Sequence, residues 1–294
     1  MKRILVTAFI SAFLITLAGP ILAKEVTLVV KGSVWDSDSR GFAWYQRLSK
    51  AQGTLKAART GARVSVDGRP DLYAFSGTGG RFELKLTTAE PTFRLIVEGD
   101  RFPRTITQAY EIPEEGGELD IDRVNTPRAE GVEHTWPLSM MANALGYAST
   151  REMLADNKAA IRLLLYGSGA EGAPDWTERA RLSFPGSTAG NAATEPTTNS
   201  PFLMRVPRSE YVVPFDMTPQ DTYFQKMEEA TGAYIVVVSF NPGDSIDKDI
   251  VIEIEDTMTD ELLDPPRPWK FSPKTVSVRN GFATEVRYSP DIDQ

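Results

Sequence analysis

The stretch that decides the fold is Gly79-Gly80-Arg81-Phe82-Glu83-Leu84-Lys85-Leu86, in which apolar and charged residues alternate after two glycines. A period of two is typical of a strand with one buried face, and paired glycines favour the tight turn before it. Segments of similar character surround it at 25–34, 62–66, 72–75, 92–97, 104–112 and 118–124. Such short, closely spaced strands predict a β-sandwich over residues 24–125.

Four pieces of this region also resemble a known family. They are Lys31-Gly32-Ser33-Val34-Trp35-Asp36, Thr60-Gly61-Ala62-Arg63-Val64-Ser65-Val66, the segment from Ser76 to Leu84, and Val97-Glu98-Gly99-Asp100-Arg101-Phe102. Together they are similar to the carboxypeptidase regulatory-like, transthyretin-like β-sandwich domain. The resemblance implies a fold and no activity, because such modules are accessory parts of many exported proteins. The remainder of the chain is not recognised.

Residues 126–205 have a different pattern. Ser149-Thr150-Arg151-Glu152 is a capping box, and the apolar residues after it predict a helix that ends around Gly167. The following stretch, up to Pro201, is rich in Gly, Ala, Pro, Ser and Thr, which favours loop. We therefore expect a helical, loop-rich connector over 126–205.

Strand patterns return after residue 205. Residues 234–240 form an apolar run suited to a central strand, and 249–255 alternate isoleucine with valine or glutamate. Asn280-Gly281 is typical of the turn in a β-hairpin. The sequence thus predicts a mainly β protein, with a second β-sandwich over 206–294.

The first 23 residues are typical of an export signal. Lys2 and Arg3 precede a long apolar stretch, and Ala23 is a small residue suited to cleavage. Cleavage would change the formal charge from −8 to −10, because the segment carries two basic and no acidic residues. The alternative is an uncleaved anchor, since the apolar stretch approaches the ~20 residues of a membrane span. After cleavage we expect no membrane span and a periplasmic or secreted location.

The composition excludes several chemistries. The 294 residues include 40 acidic and 32 basic side chains, one histidine and no cysteine. Thiolate nucleophiles, disulfides, Cys-ligated metals and a multi-histidine metal site within one chain are therefore excluded. The acid excess argues against nucleic acid as a partner, because that binding depends on clustered Lys and Arg. We predict no cofactor.

His134 and a pair of carboxylates keep an enzymatic alternative open. As the only imidazole, His134 could act as a general base near neutral pH. Asp120 and Asp122 would lie on the same face of a strand, and glycoside hydrolysis needs two carboxylates across a cleft. An envelope hydrolase using His134 or such carboxylates is therefore the alternative function, although we assign no catalytic residue.

The chain's five tryptophans suggest a binding function instead. Exposed rings on sandwich loops can stack on sugars or anchor a protein partner. Trp44, Tyr45, His134 and Trp136 are the ligand-binding candidates, and Asp244, Asp247 and Asp249 are a weak calcium candidate. The leading prediction is an exported, non-enzymatic binding or assembly module whose partner is an envelope protein or a carbohydrate.

Overall fold

The computed structural model describes residues 24–36, 60–100, 102–126, 137–166, 176–185, 201–205, 230–261, 263 and 265–291. These residues form a mainly β structure, which confirms the predicted fold class. The predicted signal segment lies outside them. Within the described part of the chain, no helix has both the length and the apolar character needed to cross a membrane.

Short strands account for most of the described residues. The strands are β1 (Val26–Asp36), β2 (Arg63–Val66), β3 (Arg69–Phe75), β4 (Arg81–Thr88), β5 (Thr92–Phe93), β6 (Leu95–Gly99), β7 (Phe102–Ile106), β8 (Tyr110–Glu111), β9 (Gly117–Thr126), β10 (Lys158–Tyr166), β11 (Ala180–Ser183), β12 (Phe202–Arg205), β13 (Ala230–Ser239), β14 (Asp247–Asp256), β15 (Lys274–Arg279) and β16 (Ala283–Tyr288). The helices are α1 (Pro137–Ala144), α2 (Thr150–Ala155) and α3 (Trp176–Arg179).

One long sheet passes through the molecule. Its eight strands lie in the order β12-β13-β10-β16-β7-β6-β2-β3, and smaller sheets have the orders β4-β1-β9, β11-β14-β15 and β5-β8. A single row of paired residues crosses the long sheet from edge to edge: Ala74, Val64, Val97, Thr105, Ala283, Ala160, Val237 and Phe202. Paired residues share a face of a sheet, so this row defines one continuous face.

Three hydrophobic clusters cover the long sheet, two on one face and one on the other. The first lies on the face of the row, between β2-β6-β7 and the β4-β1-β9 sheet, and includes Leu28, Val64, Phe82 and Leu95. The second continues on that face, where α1 and α2 cover β10 and β13; it includes Met141, Met153, Ala160 and Val237. The third lies on the opposite face under β11-β14-β15, and includes Ile161, Leu163, Tyr234 and Ile252.

The predicted helix from residue 149 to Gly167 is wrong beyond its first turns. Its start is as predicted, because the Ser149 hydroxyl accepts a hydrogen bond from the Glu152 amide. The helix ends at Ala155, and Asn157 takes a positive φ of 52° before β10 begins. β10 pairs with β13 on one side and β16 on the other. Both faces of β10 are buried, because α1 and α2 cover one face and the β11-β14-β15 sheet covers the other. A strand that is buried on both faces is apolar on both.

The residues predicted to form a helical, loop-rich connector also contain strands. Residues 126–205 supply β10, β11 and β12, which are integral strands of the C-terminal part. The predicted hairpin over 275–288 is wrong, because its two segments form β15 and β16, which belong to different sheets. We call residues 24–126 the N-terminal part and residues 137–291 the C-terminal part. The long sheet crosses between these two parts through the single residue pair Thr105 and Ala283.

A group of four charged side chains, which we name the ion-pair clamp, holds the two parts together beside this crossing. Asp67 and Arg94 belong to the N-terminal part, and Asp247 and Arg279 to the C-terminal part. Arg94 Nη2 lies 2.7 Å from Asp67 Oδ2 and 3.2 Å from Asp247 Oδ2. Arg279 binds both carboxylates, with Nη2 2.8 Å from Asp247 Oδ2 and 2.9 Å from Asp67 Oδ2. Each arginine therefore bridges both parts of the chain.

Candidate binding surface

The candidate binding surface lies on the long sheet, on the face opposite the first cluster. Tyr73 pairs with Ser65, and Phe75 pairs with Arg63, which pairs in turn with Glu98. These rows alternate with the buried row through Ala74 and Val64, so their side chains point away from the core. We name Arg63, Tyr73, Phe75, Glu98 and Arg104 the aromatic face.

Two large apolar rings of this face are open to solvent. Tyr73 is 50% exposed and Phe75 is 61% exposed, on the edge strand β3. Their ring centroids are 5.6 Å apart and their planes meet at 79°. Exposed neighbouring rings of this kind mark interaction sites more often than scattered single residues do.

A line of alternating charge borders the rings. Arg63 Nη1 lies 3.0 Å from Glu98 Oε2, and Arg104 Nε lies 2.8 Å from Glu98 Oε1. The Arg63 guanidinium also sits 4.8 Å from the centroid of the Tyr73 ring and donates a hydrogen bond to the Pro70 carbonyl. These contacts fix the arginine side chains in place, which lowers the entropy that a partner's binding would cost.

The predicted ligand-binding residues Trp44, Tyr45, His134 and Trp136 all lie outside the described residues. Two other tryptophans, Trp35 and Trp176, are buried and pack in the interior.

The three aspartates of the calcium hypothesis are not brought together as a metal site. Asp244 pairs with Lys248, and Asp247 pairs with Arg94 and Arg279. Hydrogen bonds from these cations lower the pKa of Asp244 and of Asp247. Within the described ranges, no group of three His, Cys, Asp or Glu side chains could hold a metal ion. The calcium site therefore stays a prediction, which this arrangement of Asp244 and Asp247 with their cation partners does not support.

Asp120 and Asp122 likewise do not form a cleft. Asp120 Oδ1 accepts a hydrogen bond from the Asp122 amide at 2.9 Å, and Asp122 has a positive φ of 57°. This is the geometry of a local bulge, where the pairing of β1 with β9 shifts register. The Asp122 side chain is 79% exposed.

The most buried carboxylate serves the structure. Arg179 Nε and Nη2 lie 2.8 and 2.5 Å from the two oxygens of Asp256. The amides of Met258 and Trp269 donate to the same carboxylate, and the Trp269 indole donates to Asp260 at 2.7 Å. Asp256 is thus fully engaged in tying the chain after β14 back to α3.

The sequence contained a signal for the aromatic face. In Leu72-Tyr73-Ala74-Phe75 the inward positions are small or aliphatic and the outward positions are aromatic, which inverts the usual polar outward pattern. This alternation predicts the strand, but it does not by itself distinguish an exposed aromatic pair from rings that are buried under another layer.

No protein-family model matches the chain, and no curated protein matches it significantly. Among solved structures it is similar to the Bacillus anthracis TIE protein, with 6% identity, a TM-score of 0.25, and coverage of 90% of this chain and 34% of that one. It is also similar to the shaft pilin spaA from Lactobacillus rhamnosus GG (8% identity, TM-score 0.20, 91% and 98% covered) and to a streptococcal ancillary pilin (8%, 0.21, 91% and 69%). The chain spans about a third of the length of the first. TM-scores this low establish no common fold, so no property is transferred.

Proposed function

We propose that the chain is an exported, non-enzymatic binding module that holds a protein partner of the cell envelope on its aromatic face. The observation that carries the proposal is the exposed pair Tyr73 and Phe75 beside the fixed charges of Arg63 and Arg104. Aromatic and arginine side chains supply most of the energy at protein interfaces. The export part of the proposal is supported by the composition of the first 23 residues.

The ring geometry favours a protein over a carbohydrate. A sugar stacks on an aromatic plane, and the near-perpendicular Tyr73 and Phe75 rings offer no common plane. A protein side chain can instead fill the angle between the two rings. With two arginines and one glutamate, the bordering line has a net positive charge and complements an acidic rim on the partner.

Three carboxyl groups of the described residues, those of Asp156, Asp244 and Asp247, do not suit the role of general acid in hydrolysis. A general acid needs a raised carboxyl pKa. The carboxyl shifts resolved among the described residues, those of Asp156, Asp244 and Asp247, are all downward. Hydrogen bonds cause them: Tyr147 is the main donor to Asp156, Lys248 to Asp244 and Arg279 to Asp247.

The transthyretin-like assignment of the N-terminal part is kept as part of the proposal. It is supported by the two sheets, β4-β1-β9 and β3-β2-β6-β7, that enclose the first hydrophobic cluster.

Site-specific photo-crosslinking tests the proposal. A benzophenone amino acid at position 73, in chain expressed with its first 23 residues, should crosslink to one envelope protein. The same probe at Ile246, which is 62% exposed and remote in sequence, should not. The Tyr73→Ser/Phe75→Ser variant should capture that protein about tenfold less well, as expected when hot-spot rings are removed.

Two outcomes would contradict it. Equal capture by the double variant, folded by circular dichroism, would place the interface elsewhere. Loss of binding to a glycan array in the double variant, without any protein crosslink at position 73, would make the partner a carbohydrate.

A further inference from the structure

A cavity lies at the seam where the long sheet crosses between its two parts. β7 and β16 share only the pair Thr105 and Ala283, so the strands separate beyond it and residues 107–109 leave the sheet. Two adjoining clefts, of about 420 and about 560 Å³, open there and share Gln108, Ala109 and Thr275 in their walls; we name them together the seam cavity. The larger cleft, at about 560 Å³, is within the ~300–1,000 Å³ range of small-molecule sites.

The larger cleft is lined by more positive than negative charge. Its charged residues are Arg123 on β9, Lys274 on β15, and Glu285 and Arg287 on β16. Three cations against one anion is the reverse of the chain's formal charge of −8. The excess of positive charge is therefore a local property of the larger cleft and not of the protein surface as a whole.

The one carboxylate of the cleft is already engaged. Glu285 Oε1 accepts a hydrogen bond from Asn125 at 2.7 Å, and Glu285 Oε2 lies 3.3 Å from Arg162 Nη1. Arg287 Nε lies 3.3 Å from Glu285 Oε1. Three partners share this single negative charge. Arg123 has another carboxylate nearby, with its Nε 3.8 Å from Asp122 Oδ2.

Lys274 lacks a carboxylate partner among the described residues. Its amine donates a hydrogen bond to the Arg287 carbonyl at 2.8 Å and lies 5.4 Å from the Tyr288 ring centroid. Desolvation, the only cause of the shift, lowers the pKa of Lys274. An anion beside this amine would offset that cost.

Neutral donors and an apolar wall complete the cleft. The Tyr110 hydroxyl is protonated near neutral pH, as for any tyrosine, and burial raises its pKa further, to about 12. Gln108 and Thr275 add polar groups, while Ile106 and Ile121 supply apolar surface. Convergent polar groups on a partly apolar wall are characteristic of sites for small ligands.

We propose that the seam cavity binds a small carboxylate that also carries hydroxyl groups, of the size and chemistry of a uronic acid. Lys274, Arg123 and Arg287 surround the carboxylate, and Tyr110, Gln108 and Thr275 meet the hydroxyls. This site is separate from the aromatic face and does not depend on the function proposed for it.

Titration with D-glucuronate, with D-glucose as the uncharged control, tests the site. In ¹H–¹⁵N NMR spectra of the folded chain at millimolar ligand, glucuronate should shift the amides of Gln108, Asn125 and Thr275. D-Glucose should not shift them. Lys274→Met should weaken glucuronate binding about tenfold, the size of one charge-assisted hydrogen bond.

The matched control is Lys85→Met, which removes an exposed lysine of β4 and should leave affinity unchanged. Equal weakening by both variants would indicate a general charge effect and overturn the proposal. So would equal binding of glucose, shifts confined to residues outside the cavity, or no shift at millimolar glucuronate.

Discussion

Replacing Arg279 by methionine should destabilise the protein more than any single exposed charge does. Arg279 donates to both carboxylates of the ion-pair clamp: Nε and Nη2 each lie 2.8 Å from an Asp247 oxygen, and Nη2 lies 2.9 Å from Asp67 Oδ2, with a shorter contact from Nη1 to Oδ1. Methionine keeps most of the aliphatic volume but leaves two facing carboxylates with Arg94 alone.

The expected cost is about 2–4 kcal/mol of unfolding free energy. Removing one partner of a fully buried pair costs about 3–5 kcal/mol, because an uncompensated charge remains. Arg279 is close to full burial, since its side chain is 13% exposed. The Asp247 side chain is 31% exposed, so water can solvate its carboxylate and recover part of the lost stabilisation. An exposed pair is worth only about 0–1 kcal/mol.

A double-mutant cycle measured by urea denaturation isolates the clamp. Arg279→Met, Asp67→Ala and the double variant should give a coupling energy of about 2 kcal/mol. The control cycle uses Arg69→Met and Asp71→Ala, an exposed pair at 3.6 Å, and should give less than about 0.5 kcal/mol. Equal coupling in the two cycles would refute the argument that the clamp joins the two parts.

The clamp also predicts a pH dependence with a definite sign. The Arg279 hydrogen bond is the main reason that the pKa of Asp247 is lowered. A lowered folded-state pKa contributes stability above the unfolded value of about 3.9, and this is lost as pH falls through the folded pKa. The difference in the free energy of unfolding between wild type and Arg279→Met should therefore be at its full size at pH 6 and should shrink below about pH 4. A difference that grew on acidification would contradict this assignment.

Three further substitutions test the fold. Asp256→Ala removes the two-pronged partner of the buried Arg179, which keeps a longer contact of 3.6 Å with Asp260, and should cost about 3–5 kcal/mol in urea denaturation; a cost below about 1 kcal/mol would contradict the network. Leu163→Ala empties a fully buried site in β10 and should cost about 2–5 kcal/mol, whereas a solvent-facing helix position would cost far less. Gly116→Ala would place Cβ 2.5 Å from a backbone oxygen of β1, at a residue whose φ is +69°. The melting temperature of this variant should therefore fall clearly below that of Gly68→Ala, because Gly68 has a similar φ of +74° but open space around it. Equal melting temperatures would count against this contact.

Local sequence patterns were sufficient where one face of a strand is buried. The alternation in β4 and β14 predicted both strands, and the apolar run at 234–240 predicted the central strand β13. The pattern of β10 predicts a helix wrongly because residues 161–165 are apolar on both faces, and periodicity then cannot separate a buried strand from a buried helix.

The clamp and the seam cavity could not be predicted in the same way. Asp67 and Arg279 are 212 positions apart, and neither residue lies in a distinctive motif. Their meeting depends on how the long sheet brings its two parts together, which no local pattern encodes. Thr105 is similar: a buried threonine in β7 gives no sign that it pairs with β16.

The position of β16 governs when the long sheet can be completed during synthesis. All other described strands precede β16 in the chain, yet it lies in the interior of the sheet between β10 and β7. Until Ala283–Tyr288 is synthesised, both neighbours present unpaired edges, and the residue pair that joins β7 to β16 spans 178 positions. Completion of the sheet therefore depends on a contact of high sequence separation, so folding should be slow, and the unpaired edges of β10 and β7 should favour aggregation until β16 is in place.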